Sequence, residues 1–208
     1  MTLLRIVAAL LIAALSAWGV TLAMLPTAER PHYWKRSILM YTNQSNLLVC
    51  VYHIALTAAL TVLPGWKGFL LHPVVQMSVA LCIMVTFLVF HFMLSKLIKL
   101  PPLRNRLVHY IVPLLTQAEW LLLADKTGLD LTSALLWMLV PLVYVVFTCL
   151  RVAVGGNIPY TDSPWPYPFM DMGNLGFGRW LRNILLMMVA FGLLGVVYVG
   201  IARLICLL

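Results

Sequence analysis

The chain has 208 residues, of which 63% are hydrophobic and only 10% charged. Soluble domains carry about 25% charged residues, so this chain lacks the charge to cover a water-facing surface, and an ordinary soluble domain is excluded. Its net charge of +8 is scattered between apolar blocks rather than gathered into a basic stripe, which argues against nucleic acid and for basic loops beside a membrane.

A hydrocarbon core about 30 Å thick takes roughly 20 apolar residues of helix. Spans are predicted at 6–25, 44–63, 72–95, 107–124, 131–151 and 183–202, so the expected fold is an all-α, single-domain membrane bundle of about six transmembrane helices. The first run has no charge and is longer than a signal peptide's apolar core, so it reads as a retained helix. The second ends at Pro64-Gly65. The fourth is the most polar, carrying His109, Pro113, Gln117 and Glu119, and the fifth contains Pro141. No internal repeat is visible, so an inverted-repeat transporter lacks its usual sequence support.

Basic residues group by connection. Arg30, Lys35 and Arg36 follow span one; Lys96, Lys99, Arg104 and Arg106 follow span three; Arg151, Arg179 and Arg182 follow span five. These outnumber the rest of the chain's Lys and Arg by ten to four. With six spans they share one side, which the positive-inside rule makes cytoplasmic, with both termini outside.

That grouping brings polar residues to one membrane face. In YTNQSN, Thr42, Ser45 and Asn46 stand at i, i+3 and i+4 if the helix begins near Thr42. Each alone is an ordinary N-cap residue; a facing cluster of three reads less well as capping. His91 and His109 belong at the same face, either as satisfied packed groups or as functional ones. His53 lies mid-span. Glu119, the one charged residue in the interior of a span, is expected beside Asp125 near the opposite interface as a solvated group, or at the end of a polar pathway.

The loop 155–180 is too long to be a tether. Its centre, IPYTDSPWPYPFMDMGN, is stiffened by four prolines and carries Tyr160, Trp165, Tyr167 and Phe169, rings suited to the headgroup level. It reads as an aromatic anchor or as a lid over a lipid site, with Asp162 and Asp171 the nearest acids able to orient a histidine. The cysteines (Cys50, Cys82, Cys149, Cys206) have no C-x-x-C spacing and no Glu-x-x-His pair appears, so no metal site and no cofactor is expected.

YTNQSNLLV, TFLVFH, LVHYIVPLL with EW just after, VPLVYVVFTCLR and WPYPFMD, in this order over roughly residues 35–200, resemble the androgen-induced-gene / androgen-dependent TFPI-regulating protein-like family of multi-span membrane proteins, in its bacterial branch. The resemblance implies a bacterial inner-membrane protein and an intramembrane hydrolase of lipid esters, like the family's hydrolases of fatty acid esters of hydroxy fatty acids. It implies a threonine nucleophile, matched by Thr42, and a histidine in an H-x-x-x-P pattern, matched by His109 and Pro113. The family's acidic residue three after the threonine is Ser45 here, or Asn46 with a one-residue shift, which keeps Ser45 as the reserve nucleophile. Glu119 stands before Trp120 where related chains often carry Asp. The expected catalytic pair is therefore Thr42 and His109, supported by Asn43, Gln44, Ser45, Asn46, His91, Tyr167, Phe169 and Asp171, acting on a lipid with acyl chains. The competing expectation is a non-catalytic lipid-binding scaffold or small-solute transporter using the same polar cluster.

Overall fold

The computed structural model describes residues 2–97 and 101–207, so Lys99 lies outside the described residues. Those residues are helical, with no strand and a single bridge between Thr27 and Arg30. In chain order the helices are α1 (Thr2–Met24), α2 (Tyr33–Ser37), α3 (Tyr41–Thr61), α4 (Lys67–Leu70), α5 (Pro73–Val89), α6 (Pro102–Arg106), α7 (Val112–Leu123), α8 (Leu131–Leu136), α9 (Leu139–Val154), α10 (Met172–Leu175) and α11 (Phe177–Cys206). Five runs are long and apolar enough to cross a membrane: Thr2–Met24, Tyr41–Thr61, Pro73–Leu94, Leu131–Val154 and Phe177–Cys206.

The predicted fourth span falls on a sixth helical run, from Pro102 to Leu123, which is not among those five. It starts five residues earlier than expected because Pro102 occupies the first helical position, where a missing N–H costs nothing. The last helix is also longer than expected, beginning at Phe177 rather than near residue 183, so Arg179 and Arg182 are helical. The fifth run breaks into α8 and α9 at Trp137–Met138. Pro141 has no N–H to give the Trp137 carbonyl, and the Val140 N–H takes that carbonyl instead at 3.1 Å.

α1 packs on α3 through a stripe of small residues: Ala9, Ala13, Ser16, Gly19 and Ala23 are all buried. Small side chains let apolar helices approach where no hydrophobic effect separates protein from lipid. The Ser16 hydroxyl donates to the Asn46 carbonyl at 2.6 Å. A Cβ on Gly19 would sit 2.8 Å from Cγ1 of Val108, so α1 also lies hard against the start of the 102–123 run. Elsewhere Gly195 of α11 makes room for Trp137, whose Nε1 would be 2.6 Å from an added Cβ.

Glu119 is buried rather than solvated beside Asp125. Its carboxylate accepts from Arg5 Nε at 3.1 Å, and the same guanidinium donates to the side-chain oxygen of Gln76. Two charges in an apolar bundle persist only when paired and hydrogen-bonded, and α1, α5 and α7 are pinned together by this trio. The Lys126 ammonium, also buried, lies 5.2 Å over the Trp120 ring and donates to the Ala124 carbonyl.

Candidate functional site

Two widened helical turns frame the site. Residues Phe90–Leu94, after α5, and Leu107–Ile111, before α7, are π-helical. In the second, the Val112 N–H reaches back five residues to the Leu107 carbonyl. Pro113 supplies the physical reason. It has no N–H for the carbonyl four residues back, which is that of His109, and its ring crowds that carbonyl. The turn widens there, as such segments often do at functional positions. The H-x-x-x-P spacing therefore sets the backbone at the histidine itself. The first segment closes with the Ser95 N–H on the Phe90 carbonyl at 2.7 Å; no proline accounts for it.

The two segments meet ring to ring. Phe90 stacks on His109 with centroids 3.6 Å apart and planes 17° from parallel. His109 is buried, and its Nδ1 is 2.9 Å from Oδ1 of Asn105, one helical turn earlier. An amide oxygen only accepts, so the ring proton is on Nδ1 and Nε2 keeps its lone pair. Asn105, not Asp171, orients the histidine. Asp171 is committed within the loop: it caps α10 by accepting from the Asn174 N–H at 3.1 Å, and it also accepts from Ser163 Oγ at 2.7 Å and Asn174 Nδ2 at 2.8 Å. Burial raises the Asp171 carboxyl, but those donors outweigh it and leave it below the usual carboxylate range.

The YTNQSN stretch lies one residue inside its helix. Met40 occupies the N-cap position with no side-chain cap bond, so the polar side chains are free for other work. Asn43 Nδ2 donates to the Ser37 carbonyl at 2.8 Å and Gln44 Nε2 to the Ile38 carbonyl at 2.9 Å, which ties α3 to the preceding turn. Ser45 Oγ donates to the Thr42 carbonyl at 3.0 Å and lies 2.6 Å from Thr86 Oγ1 of α5. Asn46 Nδ2 donates to the carbonyls of Thr42 at 2.7 Å and Val108 at 3.1 Å, while its Oδ1 is buried without a partner. Asn46 thus spans from the Thr42 turn to the His109 turn.

Thr42 and His109 line one partly open cavity, with Arg36, Asn43, Arg104 and Tyr167 on its walls. No hydrogen bond joins the two side chains. Thr42 also lines a second, almost wholly apolar chamber, walled by residues such as Val89, Phe169, Met188 and Phe191. Phe90, Leu94 and Tyr167 border both spaces. The threonine therefore stands where a polar cavity meets an apolar one.

The remaining expected residues divide accordingly. Asn43, Tyr167 and Phe169 line these spaces. Gln44 and Ser45 line a separate groove with Cys82 and Phe147. His91 is exposed, stacked on Phe87 and 3.5 Å from the Tyr110 hydroxyl, and borders neither space. Sequence reasoning missed Asn105, Phe90, Arg36 and Arg104. Asn105 was findable, since N-R-L-V-H puts an amide and an imidazole at i, i+4; the others depend on contacts between distant segments.

The long loop is fixed over this end of the bundle. Trp165, Tyr167 and Met170 are buried in a cluster with Phe90, Leu94, Tyr144 and Ile184. Arg151 donates to the carbonyls of Gly156, Asn157 and Pro164. Tyr160, at φ 65°, holds a left-handed conformation uncommon for a bulky residue. Its hydroxyl accepts from the His32 N–H at 3.0 Å and its carbonyl from Arg36.

No group of three or more His, Cys, Asp or Glu among the described residues has the geometry to hold a metal ion. No family model, no curated protein and no solved structure matches the chain.

Proposed function

We propose that the protein is an intramembrane hydrolase of lipid esters, with Thr42 as nucleophile and His109 as its general base. The observation that carries this reading is the position of Thr42 on the border between an apolar chamber and the polar cavity that His109 lines. The lining of the first suits an acyl chain and the polar groups of the second suit water, so a scissile ester would lie between them. A threonine hydroxyl attacks an ester only when a base takes its proton. The His109 tautomer held by Asn105 leaves Nε2 for that task. At the start of α3 the Asn43 N–H is taken by the Met40 carbonyl at 3.0 Å, so the Tyr41 and Thr42 N–H groups, without an acceptor in the helix, are the proposed donors to the oxyanion. Ser45 is the weaker nucleophile, because its hydroxyl is engaged with Thr86 and borders the other groove.

The substrate class, a fatty acid ester of a hydroxy fatty acid, comes from the motif resemblance alone. We also propose that Pro102–Leu123 is a sixth span, with both termini outside a bacterial inner membrane and the basic connections in the cytoplasm. The Arg5–Glu119 pair supports this reading, since it joins the start of α1 to the far end of that run. The missing Thr42–His109 hydrogen bond favours a second reading, a lipid-binding scaffold without turnover.

Purified protein in neutral detergent is assayed for hydrolysis of such an ester and for labelling by a fluorophosphonate. Thr42→Ala and His109→Ala should each lower turnover by roughly a hundredfold or more and abolish labelling. Robust turnover in either variant removes the pair from the mechanism. Binding of the intact ester with no turnover by the wild type selects the scaffold.

A further inference from the structure

The polar cavity holds two guanidinium groups that the hydrolytic chemistry does not use. Arg36, from α2, and Arg104, from α6, both line it beside Thr42 and His109. They come from segments far apart in sequence, yet each lies 5.8 Å from the centroid of the same Tyr33 ring. Neither has a carboxylate partner: among the described residues the one ion pair is Arg5–Glu119, elsewhere in the bundle. No Asp or Glu lines the cavity. Arg36 makes a single long bond, 3.4 Å, to the Tyr160 carbonyl. Nε of Arg104 is buried with no acceptor at all.

A buried donor without an acceptor is costly, more so on a charged group. Guanidinium groups match carboxylate and phosphate oxygens in geometry. We infer that the cavity binds the anionic head of an amphiphile, a carboxylate or a phosphate, through Arg36 and Arg104, while the apolar chain fills the adjoining chamber. The shared walls of the two spaces (Thr42, Phe90, Leu94 and Tyr167) keep head and chain continuous across the threonine. Tyr160 completes the arrangement by tying the loop to Arg36 and to the His32 backbone. The binding inference stands by itself. Its extension, that these two arginines hold the free carboxylate of the proposed ester substrate, rests on the hydrolase reading.

The test is a binding titration without turnover. Purified protein in neutral detergent is titrated with dodecyl phosphate, dodecanoate, dodecanol and inorganic phosphate, read by tryptophan fluorescence. The wild type should bind both anionic amphiphiles roughly tenfold or more tighter than dodecanol, the span expected of a charge-assisted bond, and tighter than inorganic phosphate. Arg36→Gln and Arg104→Gln should each shrink that preference. Arg104→Lys keeps the charge but loses Nε, so it should also bind more weakly; it replaces Arg104→Gln if that variant fails to melt cooperatively.

Equal binding of dodecanol and the anions overturns the inference, as does a preference retained in both Arg variants. Inorganic phosphate binding as tightly as dodecyl phosphate overturns the amphiphile and leaves a free-anion site. Because no ester is present, failure of hydrolysis leaves this result standing, and failure here leaves Thr42 and His109 to their own test.

Discussion

Asn105 and His109 sit one turn apart on the same helical run, with amide oxygen and imidazole Nδ1 2.9 Å apart. The contact fixes which ring nitrogen carries the proton, so it sets the chemistry available at the other. Replacing Asn105 with Leu removes that control. Turnover should fall by roughly tenfold or more, below the full effect of losing the base. Asn105→Asp places a carboxylate against the ring and raises the basicity of the imidazole. The acid limb of the pH–rate profile should then move to higher pH, a shift that a purely structural role for Asn105 would not produce.

Arg5 and Glu119 form a buried pair joined to Gln76. Glu119→Gln leaves the guanidinium without its counter-charge and should cost about 3–5 kcal/mol, seen as a lower melting temperature in detergent. Replacing both residues together, Arg5→Met with Glu119→Met, should recover much of that loss. A double variant no more stable than the single one would contradict the pairing.

Gly195 and Gly19 test two different close approaches. An added Cβ on Gly195 meets the Ala134 carbonyl at 2.8 Å as well as the Trp137 ring. Gly195→Ala should destabilise by about 1–3 kcal/mol and leave the site's chemistry alone. Gly19→Ala presses instead on Val108, the neighbour of His109. It should lower turnover more than it lowers the melting temperature, a contrast read by measuring both in the same preparation.

Asp171 gives the loop a pH dependence. Its folded carboxyl lies below the usual range, because donated hydrogen bonds outweigh its burial. A depressed carboxyl contributes stability above its unfolded pKa and loses that contribution as pH falls through the folded value. The loop should therefore stay ordered down through the ordinary carboxylate range and loosen only in stronger acid. Limited acid-active proteolysis near Trp165, or its fluorescence, reports the change. Asp171→Asn should loosen the loop at neutral pH and flatten the dependence.

The helical character of the chain was legible because apolar runs of the required length are a strong signal, and Pro64 marks a real boundary; Pro102, which opens its run five residues before the expected start, was passed over. Thr42 and His109 were both expected at one end of the bundle, and both line one cavity. What stayed hidden depends on long-range partners. Glu119 finds Arg5 across 114 residues, and nothing in the local pattern announces it. Arg36 and Arg104 were read only as loop charge, although they line the cavity. Asp162 and Asp171 were read as the nearest acids able to orient a histidine; for Asp171, D-M-G-N at a helix start is also an N-cap pattern, and that local bond won.

The widened turn at Leu107–Ile111 makes the chain sensitive to length rather than to composition. Such a turn accommodates one residue more than an ordinary helix. Deleting a single position between His109 and Pro113 would remove the extra residue and leave the flanking helical segments in register, while moving His109 itself one position, roughly 100°, around the turn. His109 would swing away from Phe90, and the shortened protein would keep its folded bundle while losing alignment at its centre. Natural variants of this chain should therefore tolerate exchange of side chains in that turn far better than the gain or loss of one.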